Sequence, residues 1–177
     1  MESRPQIFAC VGPESTGKTT LCTQLSEHFS GIVIPEFARN YLEERDGKYD
    51  KSDLIEVAKG QFDIELNYRS LGMDLDPIFC DTDLLVIKVW HEFKYGDSND
   101  EINRMLSEQD ERKYLLTYPD LDWESDPLRE NPNDLLELFH IYESELQQMG
   151  ANYQVVKGSG HQRLTNAIEA VNQMKLG

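Results

Sequence analysis

The sequence predicts an α/β domain in three layers, with a mainly parallel five-stranded sheet, a helical region before the third strand and a lid after the fourth. Three observations carry this prediction. Five short apolar runs alternate with stretches of helical periodicity. The first run leads straight into a glycine loop, Gly12-Pro13-Glu14-Ser15-Thr16-Gly17-Lys18-Thr19, and a long segment rich in Pro and Asp follows the fourth.

Ile7-Phe8-Ala9-Cys10-Val11 reads as a buried strand, and after the loop Leu21, Leu25 and Phe29 share one face of a helix starting near Lys18. Gly31 is expected to end that helix before a second strand, Ile32-Val33-Ile34, closed by Pro35. Asp53 and Glu56 resemble a capping pair for a helix carrying Leu54, Ile55, Val57, Ala58, Phe62 and Leu66. Pro77-Ile78-Phe79-Cys80 is the third strand, stopping at Asp81-Thr82-Asp83, and Leu84 to Phe93 reads as helix. Tyr114-Leu115-Leu116-Thr117 is the fourth, followed by the candidate lid, residues 118–130. Asn131-Pro132 reads as a helix start, with Leu135, Leu138, Phe139, Tyr142 and Leu146 behind it. Tyr153-Gln154-Val155-Val156 and a last helix with Leu164, Ala167, Ile168, Val171 and Met174 complete the alternation.

The 177 residues fit a single domain over 1–177, and 39% hydrophobic with 28% charged residues is an ordinary globular composition. No apolar run approaches the roughly 20 residues of a membrane span. The opening Met1-Glu2-Ser3-Arg4-Pro5 lacks the features of a secretory signal, so a cytoplasmic location is expected. Cys10, Cys22 and Cys80 are read as reduced core thiols, and no histidine or cysteine spacing suggests zinc. A net charge of −16 argues against nucleic acid as partner, because such binding neutralises phosphates with Lys and Arg. A small polyphosphate can still bind where backbone amides and a few cations concentrate positive field. A homo-oligomer is compatible with the sequence.

The loop matches G-x-x-x-x-G-K-[ST], a pattern expected by chance under about 1% of the time in a chain this long. Flanked by strand and helix, it predicts a P-loop kinase fold binding ATP through Gly12 to Thr20. Lys18 would reach the β- and γ-phosphates and Thr19 would ligate Mg²⁺. Asp81, at a strand end, resembles the acidic partner of that metal, while Asp83 is read either as a functional carboxylate or as the cap of the next helix. Glu36 falls at the sheet edge where open α/β proteins bind ligands and could accept a hydroxyl proton. Arg39, three residues on, could bind a phosphate or hold Glu36, though such a pair is also a common surface feature. Trp90, Tyr95 and Trp123 are candidates to stack on a flat ring, against ordinary packing. Arg129 could swing over the phosphates from the lid.

This ordered set resembles the kinase domain of NadR-type proteins, which phosphorylate ribosylnicotinamide with ATP. The resemblance rests on Gly12 to Thr20, Pro35-Glu36-Phe37-Ala38-Arg39, Asp81-Thr82-Asp83 with Val89-Trp90 and Tyr95-Gly96, Tyr114-Leu115-Leu116, Pro119-Asp120 with Trp123, and Asp126 with Arg129. It implies ATP with Mg²⁺, transfer to a ribose 5′-hydroxyl, and catalytic roles for Lys18, Glu36, Asp81 and Arg129. For the permanently cationic pyridinium ring it implies an acceptor pocket of Trp90, Tyr95 or Trp123 with carboxylates such as Asp83 and Glu65. NadR-type proteins often carry an adenylyltransferase domain ahead of the kinase; the short segment before the first strand leads us to expect a kinase without it. Pro127 stands where the family usually has glycine. A kinase of another nucleoside or nucleotide, or a regulatory NTP-binding module, are the alternatives.

Overall fold

A computed structural model describes residues 5–70 and 77–175. The expectation of no signal at residues 1–4 lies outside the described residues. Five strands form one sheet in the order β2-β3-β1-β4-β5: β1 (Ile7–Val11), β2 (Ile32–Ile34), β3 (Ile78–Asp81), β4 (Lys113–Thr117) and β5 (Asn152–Val156). Every pairing is parallel.

Helices cover both faces, which is why β1 is apolar at every position instead of alternating. Odd-numbered residues of β1, Ile7, Ala9 and Val11, pack against α4 (Leu84–Tyr95) and α6 (Leu135–Gln148). Even-numbered Phe8 and Cys10 pack against α1 (Lys18–Phe29) and α7 (Gly160–Lys175). Cys10, Cys22 and Cys80 are free, buried thiols within these layers. A third apolar cluster joins α4 to α2 (Phe37–Glu43), α3 (Lys51–Ser70) and α5 (Asp100–Glu108) through Ala38, Val57, Ala58, Ile87 and Ile102. Within it α2 and α3 form the helical region expected before the third strand, while α4 and α5 follow that strand; α2 and α5 are helices that the periodicity had not marked out.

Local chemistry moves several boundaries. Ser30, at φ 54°, ends α1 in the left-handed conformation in place of Gly31. The capping pair of α3 is Asp50 with Asp53, not Asp53 with Glu56: Asp50 Oδ1 accepts from Ser52 N at 2.7 Å and Asp53 Oδ2 accepts from Asp50 N at 2.8 Å. Glu56 instead pairs with Lys59 at 3.0 Å. Leu66 is exposed, and the buried stripe of α3 runs through Leu54, Val57, Ala58, Gln61 and Glu65. Asn131-Pro132 forms a turn, and α6 begins at Leu135, so the connection after β4 extends over residues 118–134. Among the described residues no helix is long and apolar enough to cross a membrane.

Candidate active site

The C-terminal ends of β1 and β3 lie side by side, with Cys10 paired to Asp81, so the glycine loop and Asp81 meet where the strand order reverses. Gly12 has φ 136°, and a Cβ there would lie 2.5 Å from Thr117 Oγ1. Only glycine fits both restrictions. Behind the loop, Thr16 Oγ1 and Thr117 Oγ1 are 2.6 Å apart, and Thr117 donates to Val11 O at 3.1 Å. Lys18 turns its ammonium into the loop, donating to Gly12 O at 2.9 Å and Pro13 O at 2.6 Å. Burial lowers its pKa, against the pull of Glu36, Asp81 and Glu14.

A cavity of about 350 Å³ opens over this edge, lined by the whole stretch from Gly12 to Thr20 together with Glu36, Arg39, Asp81, Trp90 and Arg129. Burial raises the Asp81 carboxyl, Thr19, Lys18 and Arg39 pull it partway back, and its Oδ1 has no hydrogen-bond partner among the described residues. Burial and the Asp81 charge raise Glu36. Arg39 stands 3.9 Å from Glu36 and 3.3 Å from Asp126 of the lid, so it joins the β2 edge to the lid.

The lid is docked on the loop. Glu124 N donates to Ser15 Oγ at 2.8 Å, and Glu130 N and Asn131 N both donate to Glu14 Oε2 at 3.0 Å. Arg129 reaches Ser15 Oγ of the loop at 3.3 Å and Glu124 O at 2.6 Å. Pro127 is accommodated because it follows Asp126 in a turn, where Asp126 Oδ1 accepts from Leu128 N at 2.9 Å and Asp126 O from Arg129 N at 3.0 Å.

Four expected acceptor-site residues lie elsewhere. Asp83 is wholly buried and takes the capping role, accepting from Leu85 N at 2.7 Å. Its second oxygen is 3.3 Å from Arg112, whose guanidinium also holds Glu65 at 2.6 and 2.9 Å. Neither carboxylate lines the cavity, because a buried arginine between them needs both. Burial pushes Asp83 up to about 6 against the attraction of Arg112. Tyr95 packs its ring 5.5 Å from His91, and Trp123 is half-buried in the lid; neither lines the cavity. Of the three aromatic candidates only Trp90 does, its Nε1 donating to Tyr49 OH at 2.9 Å.

Arg163 was missed. It leaves α7 to donate to Thr16 O at 2.7 Å, Tyr118 O at 3.1 Å and Asp120 at 2.7 Å, tying glycine loop to lid base. Its signal was present: 163, 167, 171 and 174 share the buried stripe of α7.

Fold and loop together define a P-loop nucleotide-binding domain. The profile of the AAA domain family matches residues 7–163, and the chain belongs to that family. Among solved structures, NadR protein in complex with NR superposes with a TM-score of 0.79 at 21% identity, covering 96% of this chain and 50% of that one. NadR in complex with NAD and AMP-PNP gives 0.74 at 21%, covering 96% and 49%. Deoxyadenosine kinase from M. mycoides gives 0.68 at 13%, covering 95% and 100%, and thymidylate kinase from Ehrlichia chaffeensis 0.64 at 13%, covering 98% and 99%. This likeness establishes a shared fold. The chain spans about half the length of the NadR chains it matches. No curated protein matches it.

Proposed function

We propose that the chain is an ATP-dependent kinase that transfers the γ-phosphoryl group to the 5′-hydroxyl of ribosylnicotinamide. The observation that carries the proposal is a single cavity lined both by the glycine loop with Lys18 and by Glu36, Arg39 and Trp90. A donor's phosphates and an acceptor's hydroxyl thereby share one enclosed space. Lys18 and Arg129 balance charge on the moving phosphoryl group, and loop amides cradle the phosphates. Glu36 accepts a hydrogen bond from the attacking hydroxyl and orients it; positioning outweighs base strength in a loose, dissociative transfer.

Mg²⁺ fits beside the loop, since the buried Asp81 Oδ1 lacks a partner among the described residues and Thr19 lines the same cavity. When bound there it supplies positive charge to the β- and γ-phosphates. Asp81→Asn is therefore expected to shift activity to higher Mg²⁺ concentration, measured by metal titration, whereas Asp83→Asn leaves the metal dependence unchanged. The reverse pattern would reassign the metal carboxylate.

The ribosylnicotinamide assignment rests on the family resemblance and on Trp90. A cation over an aromatic face contributes about 0.5–2 kcal/mol, so Trp90→Leu should raise the KM for ribosylnicotinamide about three- to thirty-fold and leave that for ATP unchanged. Trp123→Leu should move neither. Steady-state assays across a nucleoside panel check this, and better turnover with uridine or thymidine would overturn the acceptor. A kinase of another nucleoside is the second reading, favoured by the match over the full length of deoxyadenosine kinase.

A further inference from the structure

We propose that Gln61 is a positioning residue that fixes Glu36 toward the acceptor hydroxyl, an inference that rests on the role given to Glu36 above. Gln61 sits on the buried stripe of α3, 1% exposed, and does not line the cavity. Its carboxamide grips the peptide groups on either side of Glu36. Oε1 accepts from Phe37 N at 2.9 Å, and Nε2 donates to Pro35 O at 3.3 Å.

Both peptide groups need an outside partner. The β2–β3 register ends at Ile34 with Cys80, so Pro35 lies beyond the ladder. Phe37 is the first residue of α2, and an N–H in the first turn has no acceptor within its own helix. A helix start is ordinarily satisfied by the side chain at the N-cap, here Glu36. Yet Glu36, extended at φ −69° and ψ 117°, makes no side-chain cap bond. Gln61, from another helix, satisfies the Phe37 N–H, which sits too early in the helix for an N-cap side chain to serve. The Glu36 carboxylate, committed to no cap bond, is left to the cavity and Arg39. The pairing also selects the residue type. An amide offers one acceptor and donors on one flat group, a carboxylate would set an acceptor against Pro35 O, and an apolar side chain would leave both groups unpaired.

The neighbouring residue holds the same point from the side. A Cβ on Gly60 would lie 2.3 Å from Phe37 Cε1, so the Phe37 ring rests directly on the α3 backbone. Gly60 and Gln61 together fix Phe37 by its ring and by its N–H.

Gln61→Met preserves length and removes both hydrogen bonds. Misplacing a reacting group by about 1 Å can cost on the order of 10²-fold, so kcat per active site should fall about 10- to 100-fold, with the KM for ATP unchanged. Gly60→Ala, which displaces Phe37 by a different route, should show the same kcat-selective loss. In a Glu36→Gln background neither change should lower kcat further, because the group they position is gone. Activity is read with the best nucleoside of the panel, and active sites are counted by ATP-analogue titration. A merely structural role would reduce the number of sites and leave kcat per site intact, which overturns the proposal. Losses that multiply with Glu36→Gln, or wild-type kcat in Gln61→Met, overturn it while Glu36 keeps its role. A Glu36→Gln enzyme with wild-type kcat, or a wild-type protein with no nucleoside-dependent turnover, removes the Glu36 reading and this inference with it.

Discussion

Replacing Lys18 by alanine is expected to lower turnover by 10²-fold or more while the protein stays folded. The Lys18 side chain belongs to no apolar cluster; its ammonium lies inside the glycine loop on the Gly12 and Pro13 carbonyls and lines the cavity. Burial lowers its pKa, and the charges of Glu36, Asp81 and Glu14 oppose that shift. No other cation reaches the same carbonyls among the hydrogen bonds described: Arg129 comes to the loop at Ser15 and Arg163 at Thr16. A coupled ADP assay beside circular dichroism measures both halves. Retention of more than about a tenth of the activity with an unchanged spectrum would remove Lys18 from the transfer step.

Arg112→Met is expected to destabilise the fold by about 3–5 kcal/mol, the usual cost of leaving buried charges without their partner. The Arg112, Glu65 and Asp83 side chains are 2%, 4% and 0% exposed, so water cannot replace the lost bonds. Burial works against the guanidinium charge, but the Glu65 hydrogen bond and the two carboxylates outweigh it and raise its pKa. The triad ties α3 to the start of α4 and the approach to β4. It also fixes the chain beside Asp81, because Thr82 is a β-branched residue at φ 82°, a strained conformation that the capping Asp83 helps hold. Urea unfolding should show a lower midpoint, and Glu65→Gln, which keeps the Asp83 partner of Arg112, a smaller shift. A loss under about 1 kcal/mol in Arg112→Met would show that the triad is not a structural clamp.

Much of the scaffold is legible in local pattern. The five strands were marked by short apolar runs, and all five observed strands overlap them within a residue or so. The glycine loop and Asp81 at the end of β3 were fixed by motif and by position along a strand. Helices α2 and α5 escaped because one is seven residues long and the other nine, too short to display a sustained period. Lys18, Glu36, Asp81, Arg39, Trp90 and Arg129 do converge on one cavity. The carboxylates were harder to sort. Asp81 and Asp83 are two residues apart, yet one lines the cavity and the other caps a helix under Arg112.

By itself the sequence determined the alternation of strand and helix, the phosphate loop and the set of polar residues at the strand ends, because each depends on neighbours within a few positions. Only the tertiary structure decided which polar residues face the cavity and which are consumed inside the protein. Glu65 finds Arg112 across 47 positions, Gln61 finds Phe37 across 24, and Arg163 finds Thr16 across 147. All three lie on helix stripes or beside strands that read as core, and a polar group there must be paired when buried. Local periodicity shows that such a residue is turned inward, while its partner is chosen by packing between elements distant in the chain.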